Sequence, residues 1–139
     1  MIDPQGVPLS LYIHLPWCAR KCPYCDFNSH EGFTDSLQQP YVEALLTDLD
    51  SQQAWWHDRS IHSIFIGGGT PSLFEGRWLG ALLEGISIRA NLSRDVEITL
   101  ESNPGSAERE RFTEYRAAGV NRLSIGVQSF DDRALKALG

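Results

Sequence analysis

The sequence predicts an α/β fold: four successive strand–helix units, the N-terminal (βα)4 part of a parallel β/α barrel. Two observations carry that prediction. Short apolar runs with strand character alternate four times with stretches of helical period, an order that implies a parallel sheet with right-handed crossovers. The unusual residues gather at the C-terminal ends of the strands, and polar pairs (Tyr12/His14, Thr99/Glu101, Ser124/Gln128) share one strand face. A barrel assembles its chemistry there, from loops after the strands and from lumen-facing side chains, and this favours a barrel over an open doubly wound sheet.

The first strand is expected over residues 9–17, with Leu11, Ile13 and Leu15 on one face and Tyr12 and His14 on the other. A loop containing Ser29, Gly32 and Thr34 leads to a helix that begins near Pro40, a residue suited to a first turn. Tyr41, Val42, Leu45, Leu46 and Leu49 recur at helical spacing and form its apolar face. Trp55 and Trp56 close that segment as packing anchors. The second strand, residues 63–66, is apolar on both faces, as strands covered by helices tend to be. A second helix follows around Trp78, Leu79, Leu82, Leu83 and Ile86.

The third strand, residues 96–101, sets Ile98 and Leu100 against Thr99 and Glu101. After the Asn103-Pro104-Gly105 turn, a helix from about Ala107 turns Phe112 and Tyr115 inward and stops at Gly119. The fourth strand is expected over residues 122–128. Ser129 with Asp132 three residues later resembles a capping box for a last helix. Four units make half of an eight-stranded barrel or two-thirds of a six-stranded one. Residues 1–139 are therefore expected to be one incomplete domain, the first part of a longer barrel whose remainder and following domain lie elsewhere.

Composition narrows the function. A formal charge of −6 disfavours a generic nucleic-acid binder, which would show a basic face. No apolar run approaches the roughly 18 residues of a membrane span. The first residues lack the basic and apolar regions of a signal peptide, so a reduced cytoplasmic compartment is expected.

The chemistry centres on Cys18, Cys22 and Cys25, spaced C-x3-C-x2-C, the three cysteines of the chain. A thiolate triplet this compact can bind three corners of a cubic iron–sulfur cluster, leaving one iron open to an exogenous ligand. Cys3His zinc with His14 or His30 is the competing reading, although structural zinc ligands usually form two separated pairs. Disulfides fit poorly with an odd count. The second motif, Gly67-Gly-Gly-Thr-Pro71, lets backbone groups approach a ligand closely, but lacks the Lys-Ser/Thr of a phosphate loop. A simple tight turn is the bland alternative. Glu101 and Gln128, placed at strand ends, are either solvated polar groups or hydrogen-bonding partners for a ligand.

Taken together, Leu11-Tyr-Ile-His-Leu-Pro-Trp-Cys18, the cysteine loop, Ile66-Gly-Gly-Gly-Thr-Pro-Ser72, Glu101-Ser-Asn-Pro-Gly105 and Asn121-Arg-Leu-Ser-Ile-Gly-Val-Gln-Ser-Phe130 resemble the oxygen-independent coproporphyrinogen-III oxidase family of radical S-adenosylmethionine (SAM) proteins. More narrowly, they resemble its HemW-type heme-chaperone branch. The resemblance covers essentially the whole chain. It implies a radical-SAM barrel in which Cys18, Cys22 and Cys25 ligate a [4Fe–4S] cluster. It also implies SAM contacts from Tyr12, Tyr24, Gly68, Gly69, Thr70, Glu101 and Gln128.

The oxidases of the family carry a further cysteine two residues after the third. Here that position is Phe27, which can pack beside adenine or cluster but supplies no thiol. The resemblance thus implies a protein that takes heme as cargo and hands it to heme-accepting respiratory proteins, with a flavodoxin or ferredoxin as reductant. The alternative it leaves is SAM-dependent radical decarboxylation of coproporphyrinogen in heme biosynthesis.

Overall fold

Alternating apolar and polar residues over Leu9–Leu15 form β1, in which Ile13 and Leu15 are buried while Tyr12 is exposed. The structure, a computed structural model, describes residues 6–138. The N-terminal residues 1–5, read above as lacking a signal segment, and Gly139 lie outside the described residues. β1 stops one residue before Pro16, which has no N–H to give to a ladder. The expected strand ran to Trp17. That residue instead makes an isolated parallel bridge with His30.

A short 3-10 turn, Asp35–Leu37, opens α1, Gln38–Ser51. Pro40 falls in its first turn, where the missing N–H would have had no intrahelical partner. Val42 and Leu49 are buried, with Tyr41, Leu45 and Leu46 packed against the core. The tryptophan pair divides: α2, Gln53–Trp56, buries Trp56, whose Nε1–H donates to Leu49 O at 3.1 Å, while Trp55 is 77% exposed. Only Trp56 is an anchor.

β2 spans Ser60–Gly68, longer than expected at both ends. β2 holds one extra residue against β1, where Leu9 pairs with Ile61 but Ser10 with Ser63. The extra residue lets Ile61 bury together with Ile64 and Ile66 despite its odd spacing from them. After a 3-10 turn, Pro71–Leu73, come α3, Gly76–Arg89, and β3, Asn91–Ser102. Leu79, Leu82, Leu83 and Ile86 form the buried stripe of α3. α4, Ser106–Ala118, ends at Gly119, whose φ of +115° is the left-handed cap that a glycine adopts without strain. Tyr115 is buried and Phe112 packs against the core.

β4 covers only Arg122–Ile125, whereas the sequence suggested a strand to residue 128. The Gly126 N–H still donates to Ser102 O, but the Val127 and Ser129 N–H groups then turn back onto Ile125 O and Val127 O. Gln128 between them has φ +64°. The chain leaves the sheet through successive tight turns, so Gln128 is a loop residue. α5, Asp132–Leu138, is capped by Asp131, whose Oδ1 accepts from the Ala134 N–H at 2.8 Å. Ser129 acts one step earlier, accepting from the Asp131 N–H, and does not form the expected capping box.

The four strands pair in the order β1-β2-β3-β4, all parallel. One face carries the core, where Ile13, Leu15, Ile64, Ile66, Ile98 and Leu100 meet α1, α3 and α4. On the other face the register aligns Tyr12, Phe65, Thr99 and Arg122 across the sheet. Thr99 is buried there beneath Arg122, whose Nη1 reaches its Oγ1 at 3.3 Å.

Candidate functional site

The cysteine loop leaves the sheet at the top of β1 and returns beside its own starting point. His30 N–H donates to Pro16 O at 2.7 Å, and Cys18 N–H donates to His30 O at 2.9 Å. Within the loop the Lys21 N–H donates to Glu31 Oε1 at 2.7 Å. Trp17, the last residue before the cysteines, is boxed by Tyr41, Phe33 and Phe74, with ring centroids 4.6–6.0 Å away. The loop's mouth is thus fixed by backbone bonds and aromatic packing. Its tip is open: Cys22 is exposed, and Cys18 and Cys25 are half-buried free thiols.

Opposite the loop, β2 runs into the glycine turn. Gly69 N–H donates to Leu15 O at 2.9 Å and Thr70 N–H donates to Trp17 O at 2.6 Å. These bonds bind the turn to the end of β1, just before Cys18. Gly68 holds φ +123°, a conformation that a side chain rarely adopts. Its N–H donates to Glu101 Oε2 at 3.1 Å, so a carboxylate from β3 is fixed against the turn. The motif is therefore more than a tight turn between strand and helix.

Loop, turn and strand ends enclose one cavity of about 470 Å³. Cys18, Cys22, Cys25, Tyr24, Phe27, Gly68, Gly69, Thr70, Glu101 and Gln128 all line it. Gln128 reaches the cavity from a loop rather than from a strand. Tyr12 is the exception among the candidates. It stands on the same sheet face but outside the lining, stacked on Phe65 at 6.2 Å, with its hydroxyl on His14 Nδ1 at 2.9 Å. Partial desolvation of its mostly exposed ring, and secondarily the Glu101 charge, pushes the Tyr12 phenol pKa up. The Tyr24 phenol is likewise raised, first by its hydrogen bond with Cys22 and then by burial and the neighbouring thiols.

His14 was read from sequence only as a face residue or a zinc ligand. Its Nε2 sits 2.8 Å from Asn28 O. A carbonyl only accepts, so the proton is on Nε2, and in the neutral ring Nδ1 accepts from Tyr12. Both nitrogens are engaged, and His30 Nε2 meets Asn28 Oδ1 at 3.2 Å. This geometry does not favour the Cys3His zinc reading. Among the described residues, no three His, Cys, Asp or Glu side chains are gathered closely enough to hold a metal ion. The three thiols share a cavity without converging. The donor set still suits an iron–sulfur cluster: three free thiols on one short loop, with no fourth cysteine in the chain.

Arg20, Asp26, Ser102 and Asn103 also line the cavity and were not named as site residues from the sequence, while Ser124, which lines it too, was named only as a polar face residue. Ser102 and Asn103 directly follow Glu101, and strand position alone would have found them.

The Radical SAM superfamily profile matches residues 12–139. The chain is 55% identical over 132 residues to the heme chaperone HemW of Escherichia coli K12, covering 95% of this chain and 35% of that protein. It is 51% identical to HemW of Haemophilus influenzae, covering 98% of this chain and 37% of the relative. To the bovine mitochondrial radical S-adenosyl methionine domain-containing protein 1 it is 41% identical, covering 98% and 30%. Among solved structures it resembles the coproporphyrinogen III oxidase HemN of E. coli, a radical-SAM enzyme, at TM-score 0.82 and 28% identity. That match covers 98% of this chain and 31% of the other. The chain thus spans about a third of the length of these relatives.

Proposed function

This chain belongs to the Radical SAM superfamily, and we propose that it is the cluster- and SAM-binding part of a HemW-like heme chaperone. Cys18, Cys22 and Cys25 would hold a [4Fe–4S] cluster by three corners, leaving the fourth iron to the amine and carboxylate of SAM. The observation that carries this reading is the shared cavity: three thiols on one wall, the Gly68–Thr70 backbone and Glu101 on the other. When bound, such a cluster supplies one electron for reductive cleavage of SAM.

The chain's own groups do the binding and orienting. Backbone carbonyls of the glycine turn and the Glu101 carboxylate would accept hydrogen bonds from the N–H groups of the methionine amine or from the ribose hydroxyls. Gln128 offers an amide from a left-handed loop position. Phe27, 63% exposed on the cavity, and Tyr24 supply apolar surface for adenine. Tyr12 helps indirectly, by holding His14 against Asn28 at the return of the cysteine loop.

Heme delivery is proposed from the similarity to HemW. The competing reading, SAM-dependent decarboxylation of coproporphyrinogen, draws on the likeness to HemN. Phe27 weighs against it, because no thiol stands at that position. The test is anaerobic reconstitution of the full-length protein, followed by SAM binding, heme titration by absorbance and assay for protoporphyrinogen. Bound iron of about four per chain, SAM and heme binding, and no divinyl product are expected. Turnover to that product would replace the chaperone reading with the enzyme.

A further inference from the structure

The three consecutive glycines of the turn differ in what surrounds them. A Cβ on Gly69 would lie 2.5 Å from Trp17 O, and one on Gly68 would lie 2.8 Å from Leu15 O at a positive φ. Both meet backbone that cannot move without unmaking the turn. A Cβ on Gly67 would instead meet side-chain tips, Glu101 Oε2 and Phe65 Cε1, each at 2.9 Å. Gly67 is buried at the end of β2, level with Glu101 on the neighbouring strand, since Phe65 pairs with Thr99 two residues earlier on each. The space left by its missing side chain is the seat of the Glu101 carboxylate, which from there accepts from the Gly68 N–H.

We propose that Gly67 is a positioning residue for Glu101: its hydrogen side chain sets where the carboxylate lies and which way its lone pairs face into the cavity. Gly68 and Gly69 shape the backbone, whereas Gly67 acts through another residue's side chain. A methyl group at position 67 leaves the turn's backbone bonds to Leu15 and Trp17 in place and forces the flexible carboxylate off Gly68 N–H. Phe65 accommodates by tilting its ring, which is only half-buried. The effect on a ligand follows from the proposed SAM site and rests on that reading. The effect on the carboxylate does not.

The test uses the full-length protein and four forms: wild type, Gly67→Ala, Glu101→Ala and the double variant. Hydrogen exchange of the Gly68 amide, measured without ligand, reads the seat directly. It should accelerate in Gly67→Ala to the rate seen in Glu101→Ala. Equilibrium dialysis with SAM after cluster reconstitution reads the consequence. Each single variant should weaken binding by about tenfold, the scale of one charge-assisted contact, and the double variant should be no weaker than Glu101→Ala. Glu101→Asp in the Gly67→Ala background, with a carboxylate one carbon shorter, should recover part of the loss.

A protected Gly68 amide in Gly67→Ala, or a tenfold loss that persists after Glu101 is removed, would overturn the proposal. Folding of Gly67→Ala only when Glu101 is also Ala would place the clash at the carboxylate and support it, while failure to fold in both backgrounds would overturn it. If Glu101→Ala leaves SAM affinity unchanged while Gly67→Ala frees the Gly68 amide, the SAM reading fails and the positioning role stands.

Discussion

The two walls of the cavity are built on opposite plans. The glycine turn is buried, and each of its amides from Gly68 to Thr70 has a defined partner: Glu101, Leu15 and Trp17. The cysteine loop is largely exposed, and its fixed hydrogen bonds sit mainly at its mouth. One wall is ready before a ligand arrives. The other has its donors nearby but not gathered, as expected where ligand binding supplies the last part of the folding energy. The comparison teaches where substitutions act: on the fold at the turn, on occupancy at the loop.

The sharpest break in the comparison is Cys22→Ala. It should abolish cluster absorbance and bound iron in anaerobically reconstituted protein while leaving the thermal midpoint of the apo protein unchanged. Retained iron would show that the loop wall does not work as proposed. Gly69→Ala should do the reverse. A Cβ 2.5 Å from a backbone oxygen must push β1 and the turn apart. A loss of roughly 2–3 kcal/mol in denaturant unfolding is expected, typical of overpacking.

A smaller effect sharpens the turn's side. Tyr115 OH donates to Ser72 O at 2.7 Å, bracing the 3-10 turn that follows Thr70 from α4. Tyr115→Phe should destabilise the fold by about 1 kcal/mol with unchanged iron content. The smallest effect concerns Tyr41, which donates to His14 O at 2.9 Å. Burial first, and the Asp48 charge second, raises its phenol pKa above the ordinary 10.0. The folded state therefore favours the protonated phenol, and its contribution is complete below pH 10 and lost as pH rises through the raised value. Tyr41→Phe should flatten the alkaline end of the stability–pH profile, measured by unfolding between pH 9 and 11.

Much of this architecture was legible because it rests on short-range regularities. Alternation in Leu9–Leu15 and the 3.6-residue stripe of α3 are local patterns, and each forms the element it suggested. The parallel order followed from strands separated by helices. The misjudged ends have local causes of another kind. Trp17 follows a proline that closes the ladder, and Gln128 comes two residues after Gly126, the last residue to bond to β3 before the chain turns back on itself. The burial of Ile61 was not legible, because the extra β2 residue at His62 is invisible to periodicity.

At the site, the motifs named the cavity's walls, and ten of the eleven candidates line it. Tyr12 alone stands outside the lining. Strand alternation gives a side chain's face but not its height on the sheet, and Tyr12 lies one pair below the rim, level with Phe65. The role of His14 depended on Asn28, fourteen residues away, and only the folded loop brings that carbonyl to the ring.

The parallel bridge between Trp17 and His30 has a consequence for the life of the protein. It closes the cysteine loop at its base, and the residues between Ala19 and Asn28 contribute nothing to the buried core. By this geometry, loss of whatever the loop carries would leave the sheet beneath it folded. Loss of a bound group at this tip would then be reversible by reloading as long as the three thiols themselves stay reduced.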